Sequence, residues 1–380
     1  MERAITLIRQ FPVGLGGAEK YLHLLIQGLI KKGFQVTLLC GKYPKNSFLD
    51  PVPNLSIVPL DSNSTGKMRW MRPWYFSWRV KKWLQQNPQS LVLSLERHWQ
   101  QNLLRAGDGI HSAWLKQRRK LQNPFSNFFI SLSPFHQLML WSEKRAYSIQ
   151  NTQCIIANSQ FVKNQIIDSL HFPAERIEVI YNGVNLNQWQ PHFDPWLKSH
   201  LNLPSNSFVV LFVGSGWQRK GLRKAIASIE AWQKQNSRSI RLVVIGQGPR
   251  YLYRHSLVHF TGAKPAVEMA PYYQGADVLL LPTYYDPFAN VTLEALASGL
   301  PVITTTHNGA SEILTQGQDG ISLSTDAPLE LWSQALNHFT DPEQRALSRQ
   351  FCRQKAEQFS LENHLQHILT LCEKVSLLKN

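Results

Sequence analysis

Twice along this chain a short apolar run breaks at a glycine-rich turn and passes into an amphipathic stretch, and each time the alternation then repeats. That pattern is the signature of parallel strands covered by helices, because a strand buried on both faces needs a crossover helix before its parallel neighbour can pair with it. Residues 4–9 read as a strand, 11–17 as a loop holding Gly14, Gly16 and Gly17, and 18–32 as a helix that Gly33 ends. Further strands are expected at 35–40, 55–60, 90–95, 152–157 and 177–181. The rhythm breaks over 182–206, a stretch with Pro191, Pro195 and Pro204, and restarts with strands at 208–213, 240–245, 258–261, 278–282 and 301–304. Residues 329–374 read mostly as helix. The expected class is α/β, with two Rossmann-like, doubly wound domains: a first domain over 1–181, a linker over 182–206 and a second domain over 207–355. A terminal helix within 356–380 is expected to pack back on the first domain. A length of 380 residues suits two cores of this size.

Composition narrows the function classes. The chain is 43% hydrophobic and 17% charged, as in an ordinary globular protein. No apolar run approaches the ~20 residues that span a bilayer. The opening residues, with Glu2 and only a short apolar run, do not read as a signal peptide, so a cytoplasmic location is expected, with any membrane contact peripheral. Cys40, Cys154, Cys352 and Cys372 are scattered, and no metal-binding spacing appears, so neither a metal nor a resident cofactor is expected. The net charge of +15 is lopsided: residues 1–170 hold 22 Lys+Arg against 8 Asp+Glu, leaving 18 against 17 for the rest. The first half therefore reads as the part that meets something anionic.

Three segments carry the chemistry. The turn at Gly14, Gly16 and Gly17 lies between a strand and a helix, where glycines let a backbone approach a phosphate. A second turn, with Gly214, Gly216 and Gly221, adds the adjacent cations Arg219 and Lys220, suited to a diphosphate but lacking the spacing of a Walker A loop. The most specific segment, residues 281–304, reads as strand end, loop, helix, glycine stop and strand, with Pro287 placed to open the helix. Amides of Phe288, Ala289, Asn290 and Val291 would then face outward at the positive end of a helix dipole. Asp286 precedes that end and Glu294 follows two turns on, where carboxylates accept hydrogen bonds from sugar hydroxyls.

These residues resemble the retaining glycosyltransferases of family 4, which have the GT-B fold of two Rossmann-like domains facing a central cleft. The family motif is an acid, seven residues, a Glu and then Ala-x-Ala-x-Gly-x-Pro-Val, and residues 286–302 match it. The resemblance extends to Gly16 through Glu19, to 179–185, to Arg219 with Lys220, to Phe260 through Gly262 and to 276–282. It implies that Arg219 and Lys220 bind the diphosphate of a nucleotide-sugar donor and that Glu294 binds its ribose. Asp286, with Pro287 and the amides of Phe288, Ala289, Asn290 and Val291, would face the transferred sugar. Gly16, Gly17, Gly214 and Gly262 would complete the donor site. In the first domain either Asp108 or His111 would contact the donor sugar or the acceptor. The family commonly has Glu where this chain has Asp286.

Without a metal, fixed cations and helix-end amides must stabilise the departing diphosphate. The acceptor is expected to be an anionic glycan or glycolipid, as for the similar bacterial enzymes that add hexoses to lipopolysaccharide core. Residues 67–83 repeat Trp70, Trp74, Trp78 and Trp83 among Lys67, Arg69, Arg72, Arg79, Lys81 and Lys82, a face suited to an anionic bilayer, although Pro73 interrupts a helix there. The cations from Lys116 to Lys120 and the aromatic run 125–135 extend it. Two other readings compete: a sugar-nucleotide epimerase of the same architecture, which has no use for a basic first domain, and a nucleic-acid-binding protein, which leaves Asp286 and Glu294 without a purpose. No nucleic-acid motif is found, and nucleic acid is not expected as a partner.

Overall fold

The computed structural model describes residues 3–11, 17–41, 53–60, 71–88, 91–120, 133–192 and 195–377. Gly14 and Gly16, the stretch 67–70 with Trp70, and most of the aromatic run 125–135 lie outside these residues. The chain divides into two compact units, Met1–Ile180 with Leu365–Asn380, and Tyr181–His364.

In the first unit β1 (Arg3–Ile8), β2 (Phe34–Cys40), β3 (Leu55–Pro59), β4 (Val92–Ser94), β5 (Gln101–Ala106), β6 (Thr152–Ala157) and β7 (Ile177–Val179) form one parallel sheet in the order 3-2-1-4-5-6-7. Helices α1 (Gly17–Lys31), α2 (Arg72–Gln86), α3 (His111–Lys120), α4 (Pro134–Ala146) and α5 (Gln160–Leu170) accompany it. Leu22, Leu25, Ile26 and Leu29 of α1 are buried with Ile5, Leu7, Val36 and Leu38 of the sheet in one apolar core. The order reverses between β1 and β4, so the loops leaving their carboxyl ends diverge and leave a crevice between them.

Two local expectations change here. Pro73 does not interrupt α2 but sits in its first turn, where its missing N–H costs nothing, and Phe76, Val80 and Leu84 form its buried stripe. Strand β5 escaped the hydrophobic pattern because its first two residues are polar. Both are buried and bonded into the sheet: Asn102 Oδ1 accepts the Val92 amide at 2.7 Å, and Gln101 Nε2 donates to Thr152 Oγ1 at 2.6 Å.

The second unit repeats the plan with β8 (Phe208–Val213), β9 (Ile240–Ile245), β10 (Val258–Gly262), β11 (Val278–Leu281), β12 (Val302–Thr305) and β13 (Gly320–Leu323), all parallel in the order 10-9-8-11-12-13. Every residue of β8 and β11 is buried, as a central strand covered on both faces requires. The helices are α6 (Trp196–His200), α7 (Trp217–Lys220), α8 (Leu222–Gln235), α9 (Ala270–Gln274), α10 (Asn290–Ala297), α11 (Leu329–His338), α12 (Pro342–Gln358) and α13 (Leu361–Leu377). Residues 182–206, read from sequence as a linker, contribute Val184, Trp189, Leu197 and Leu203 to this unit's core. From Leu365 onward α13 belongs to the first unit, where Ile368, Leu369, Leu371, Cys372 and Val375 enter the core with α1.

Candidate functional site

The order of the second sheet reverses between β8 and β11, and the loops leaving those two strands build the site. After β8 the backbone passes through Gly214 at φ +137 and Gly216 at φ +72, conformations that side chains rarely adopt. Trp217, fully buried, donates its indole N–H to Gly214 O at 3.0 Å and wedges the turn in place. Gly221 then lies so close to the end of β11 that an added Cβ would stand 2.0 Å from Pro282 O. Between these fixed points α7 delivers Arg219 and Lys220 to the switch point.

There both cations meet Asp286. Lys220 Nζ donates to Asp286 Oδ2 at 2.6 Å and Arg219 Nη1 to the same oxygen at 3.0 Å, while Arg219 Nη1 also donates to Tyr285 O at 2.8 Å. Lys220 is 8% exposed and Asp286 6%. Burial pushes the Asp286 carboxyl up, but Lys220 and then Arg219 outweigh it and hold it below the usual carboxylate range. The backbone at Asp286 is pinned on both sides, its N–H donating to His307 O at 2.9 Å and its C=O accepting from Gly309 at 2.9 Å.

Helix α10 begins at Asn290, three residues later than Pro287. Pro287, Phe288 and Ala289 instead form a non-helical lead-in, with Ala289 extended, because the buried Asn308 takes the Ala289 amide on its Oδ1 at 3.1 Å and so acts as the cap from a remote segment. Asn308 also accepts from Ala310 N and donates to Thr292 and Thr304 hydroxyls. Of the four amides expected to face outward, that of Ala289 is therefore occupied, while those of Asn290 and Val291 lie in the first turn, where no intrahelical acceptor exists. Asn290 is exposed, and its Oδ1 accepts from Asn182 Nδ2 at 2.7 Å. Farther along α10, Glu294 Oε2 accepts the Tyr273 hydroxyl at 2.7 Å. Burial and then the Glu294 charge push the Tyr273 phenol well above its ordinary range, so it remains a donor. Neither Tyr273 nor Asn308 was singled out from sequence. Gly262, at φ +84, ends β10 and accepts from Gly246 N at 3.0 Å.

The first unit holds a comparable crevice. A cavity of ≈ 260 Å³ is lined among others by Trp74, Ser77, Glu96, His98, Arg105 and Asp108. Glu96, after β4, joins the end of β1 by accepting the Gln10 amide at 3.0 Å and pairing with Arg9 at 3.1 Å. Asp108 lines the cavity; His111, at the start of α3, does not, and its Nε2 lies 3.1 Å from His136 Nδ1. Burial, with Arg97, His136 and Arg118 nearby, pushes His111 down to about 4, which leaves it neutral near pH 7. Glu143, itself buried, accepts the His111 and Ser112 amides and fixes that helix start. Gly17 opens α1.

Two family models cover most of this frame. Residues 15–188 match Glycosyltransferase Family 4, and 207–341 match Glycosyl transferases group 1. The chain belongs to the family 4 glycosyltransferases. It is 25% identical over 247 residues to the D-inositol 3-phosphate glycosyltransferase of Corynebacterium kroppenstedtii, covering 59% of this chain and 54% of that one. The chain spans about half the length of the curated relatives it matches. WaaG, a glycosyltransferase involved in lipopolysaccharide biosynthesis, superposes with a TM-score of 0.77 at 17% identity, over 97% of this chain and 99% of that one. Anabaena HepE, solved in complex with UDP and glucose, gives 0.70 at 17%, over 98% and 100%. At such identities the likeness concerns the fold: the two doubly wound domains of this chain are those of the GT-B type. Among the described residues no helix is long and apolar enough to cross a membrane, and no three His, Cys, Asp or Glu side chains cluster as for a metal ion.

Proposed function

We propose that the chain moves a hexose from a UDP-linked donor to an anionic glycan or glycolipid, with retention at the anomeric carbon and without a metal. The observation that carries this reading is the pair of cations, one of them buried, meeting at the switch point of a doubly wound sheet beside the lead-in to a helix N-terminus. Bond breaking at the anomeric carbon leaves negative charge on the diphosphate. Lys220, Arg219 and the first-turn amides of α10 stabilise that charge from fixed positions, which is the form of catalysis that needs no reorganisation as the charge develops. Glu294, oriented by Tyr273, accepts the ribose hydroxyls, and Asp108 or His111 faces the sugar or acceptor. The UDP and glucose bound to HepE support the donor class. Lys220→Ala and Glu294→Ala are each expected to abolish release of UDP from UDP-hexose in chains that remain folded by circular dichroism; near-normal turnover in both would overturn the assignment.

The acceptor rests on the first unit's charge and on the lipopolysaccharide role stated for WaaG. An apolar and basic surface supports peripheral contact with an anionic bilayer, on its cytoplasmic side. Trp78 and Trp141 are 49% and 44% exposed, Lys82 Nζ stands 5.7 Å over the Trp78 ring, and the Arg145 guanidinium 5.3 Å over Trp141. Amphipathic side chains of this kind rest at a headgroup boundary. Binding to phosphatidylglycerol vesicles is expected to fall with salt and on replacing Arg72, Lys81 and Lys82 by Ser. Binding that ignores both changes would refute the contact.

A further inference from the structure

Both cations assigned to the donor diphosphate already hold an anion of the chain itself. A single oxygen of Asp286 receives Lys220 at 2.6 Å and Arg219 at 3.0 Å. The main chain that carries it is locked to His307 and Gly309, so the carboxylate has only side-chain rotation with which to move away. Lys220, the buried one of the two cations, needs a counter-charge, since an uncompensated buried charge is strongly destabilising. A diphosphate arriving at the same cations therefore meets a fixed negative charge of its own sign, in surroundings where such repulsion is far stronger than in water.

We propose that Asp286 is an internal counter-anion of the donor site: it holds Lys220 and Arg219 in place while the site is empty, and its charge then opposes the bound diphosphate and speeds release of the nucleoside diphosphate product. The proposal rests on the donor reading above. It gives Asp286 a role besides facing the transferred sugar, and it separates the charge of this side chain from its shape. Asparagine has nearly the same shape and still offers Lys220 an oxygen acceptor, but lacks the opposing charge. Glutamate keeps the charge.

The experiment compares the full native chain with Asp286→Asn and Asp286→Glu, using UDP and inorganic pyrophosphate as probes in titration calorimetry and stopped-flow dissociation. Asp286→Asn is expected to bind UDP at least about tenfold more tightly, with slower dissociation, as the loss of one close like-charge contact implies. Asp286→Glu, which keeps the opposing charge, should stay within about threefold of native. Unchanged or weaker UDP binding by Asp286→Asn overturns the proposal and leaves the donor reading standing. Failure of the native chain and both variants to bind UDP overturns the donor reading, and the proposal with it. Should Asp286→Asn be too unstable for calorimetry, thermal melts decide: pyrophosphate should raise its melting temperature more than that of the native chain, and an equal or smaller rise refutes the idea.

Discussion

Tyr273 is 1% exposed, and its hydroxyl meets Glu294 from α9 while its ring packs edge-on against Trp189. The two contacts separate experimentally. Tyr273→Phe keeps the ring and deletes only the donor, and a hydrogen bond to a charged group contributes roughly 1.5–3 kcal/mol. UDP affinity is expected to fall by roughly tenfold or more, with the KM for UDP-hexose rising more than kcat falls. If affinity and KM hold steady and only the melting temperature moves, Tyr273 serves the core alone. The same scale shows why the carboxylates of this site are not interchangeable. Asp286 is held by cations and stays ionised, whereas Glu294 is held by a neutral phenol that remains protonated. One carboxylate compensates charge; the other presents an acceptor.

Helix α10 is short, eight residues, and has no capping side chain of its own. Asn308 does that work from the loop after β12, saturating its amide with four partners. Asn308→Ala strands the Ala289 and Ala310 amides in a buried place, at a cost of about 2–4 kcal/mol. The expected signature is a lower denaturant midpoint together with faster hydrogen exchange at the start of α10, and exchange unchanged at that helix would show that another group caps it. What was legible in the sequence follows the same division between elements. Strands β8 and β11 announce themselves as unbroken apolar runs because both faces are covered. Strand β5, opened by Gln101 and Asn102, and β13, with glycine and serine in four residues, do not. The motif from Asp286 to Glu294 was readable because its parts lie in one segment with fixed spacing. Asn308 and Tyr273 reach it from other segments, and a lone Asn or a Tyr in an apolar run carries no pattern that separates it from loop or core. The late start of α10 was hidden for the same reason: the amide that would have favoured an earlier turn is satisfied by a side chain 19 residues downstream.

At the scale of the molecule the first unit is assembled from two ends of the chain. Ile368, Leu369, Leu371, Cys372 and Val375 fill its core, while Arg3 meets Glu373 at 2.8 Å. Each large buried aliphatic contributes roughly 1.5–3 kcal/mol, so together they approach the whole stability of an ordinary domain. A chain ending at residue 364 is expected to lose the calorimetric transition of the first unit, or to show it lowered by more than about 10 °C, while that of the second unit persists. A thermogram like that of the full chain would mean that the helix is dispensable. The interleaved order also sets a timetable for biosynthesis. Nascent domains usually close in the order in which they leave the ribosome. Here the later unit is continuous in sequence and the earlier one is not, so the half that carries Asp286 can be complete while the half that carries Asp108 still waits for α13, its apolar face open to whatever chaperone meets it first.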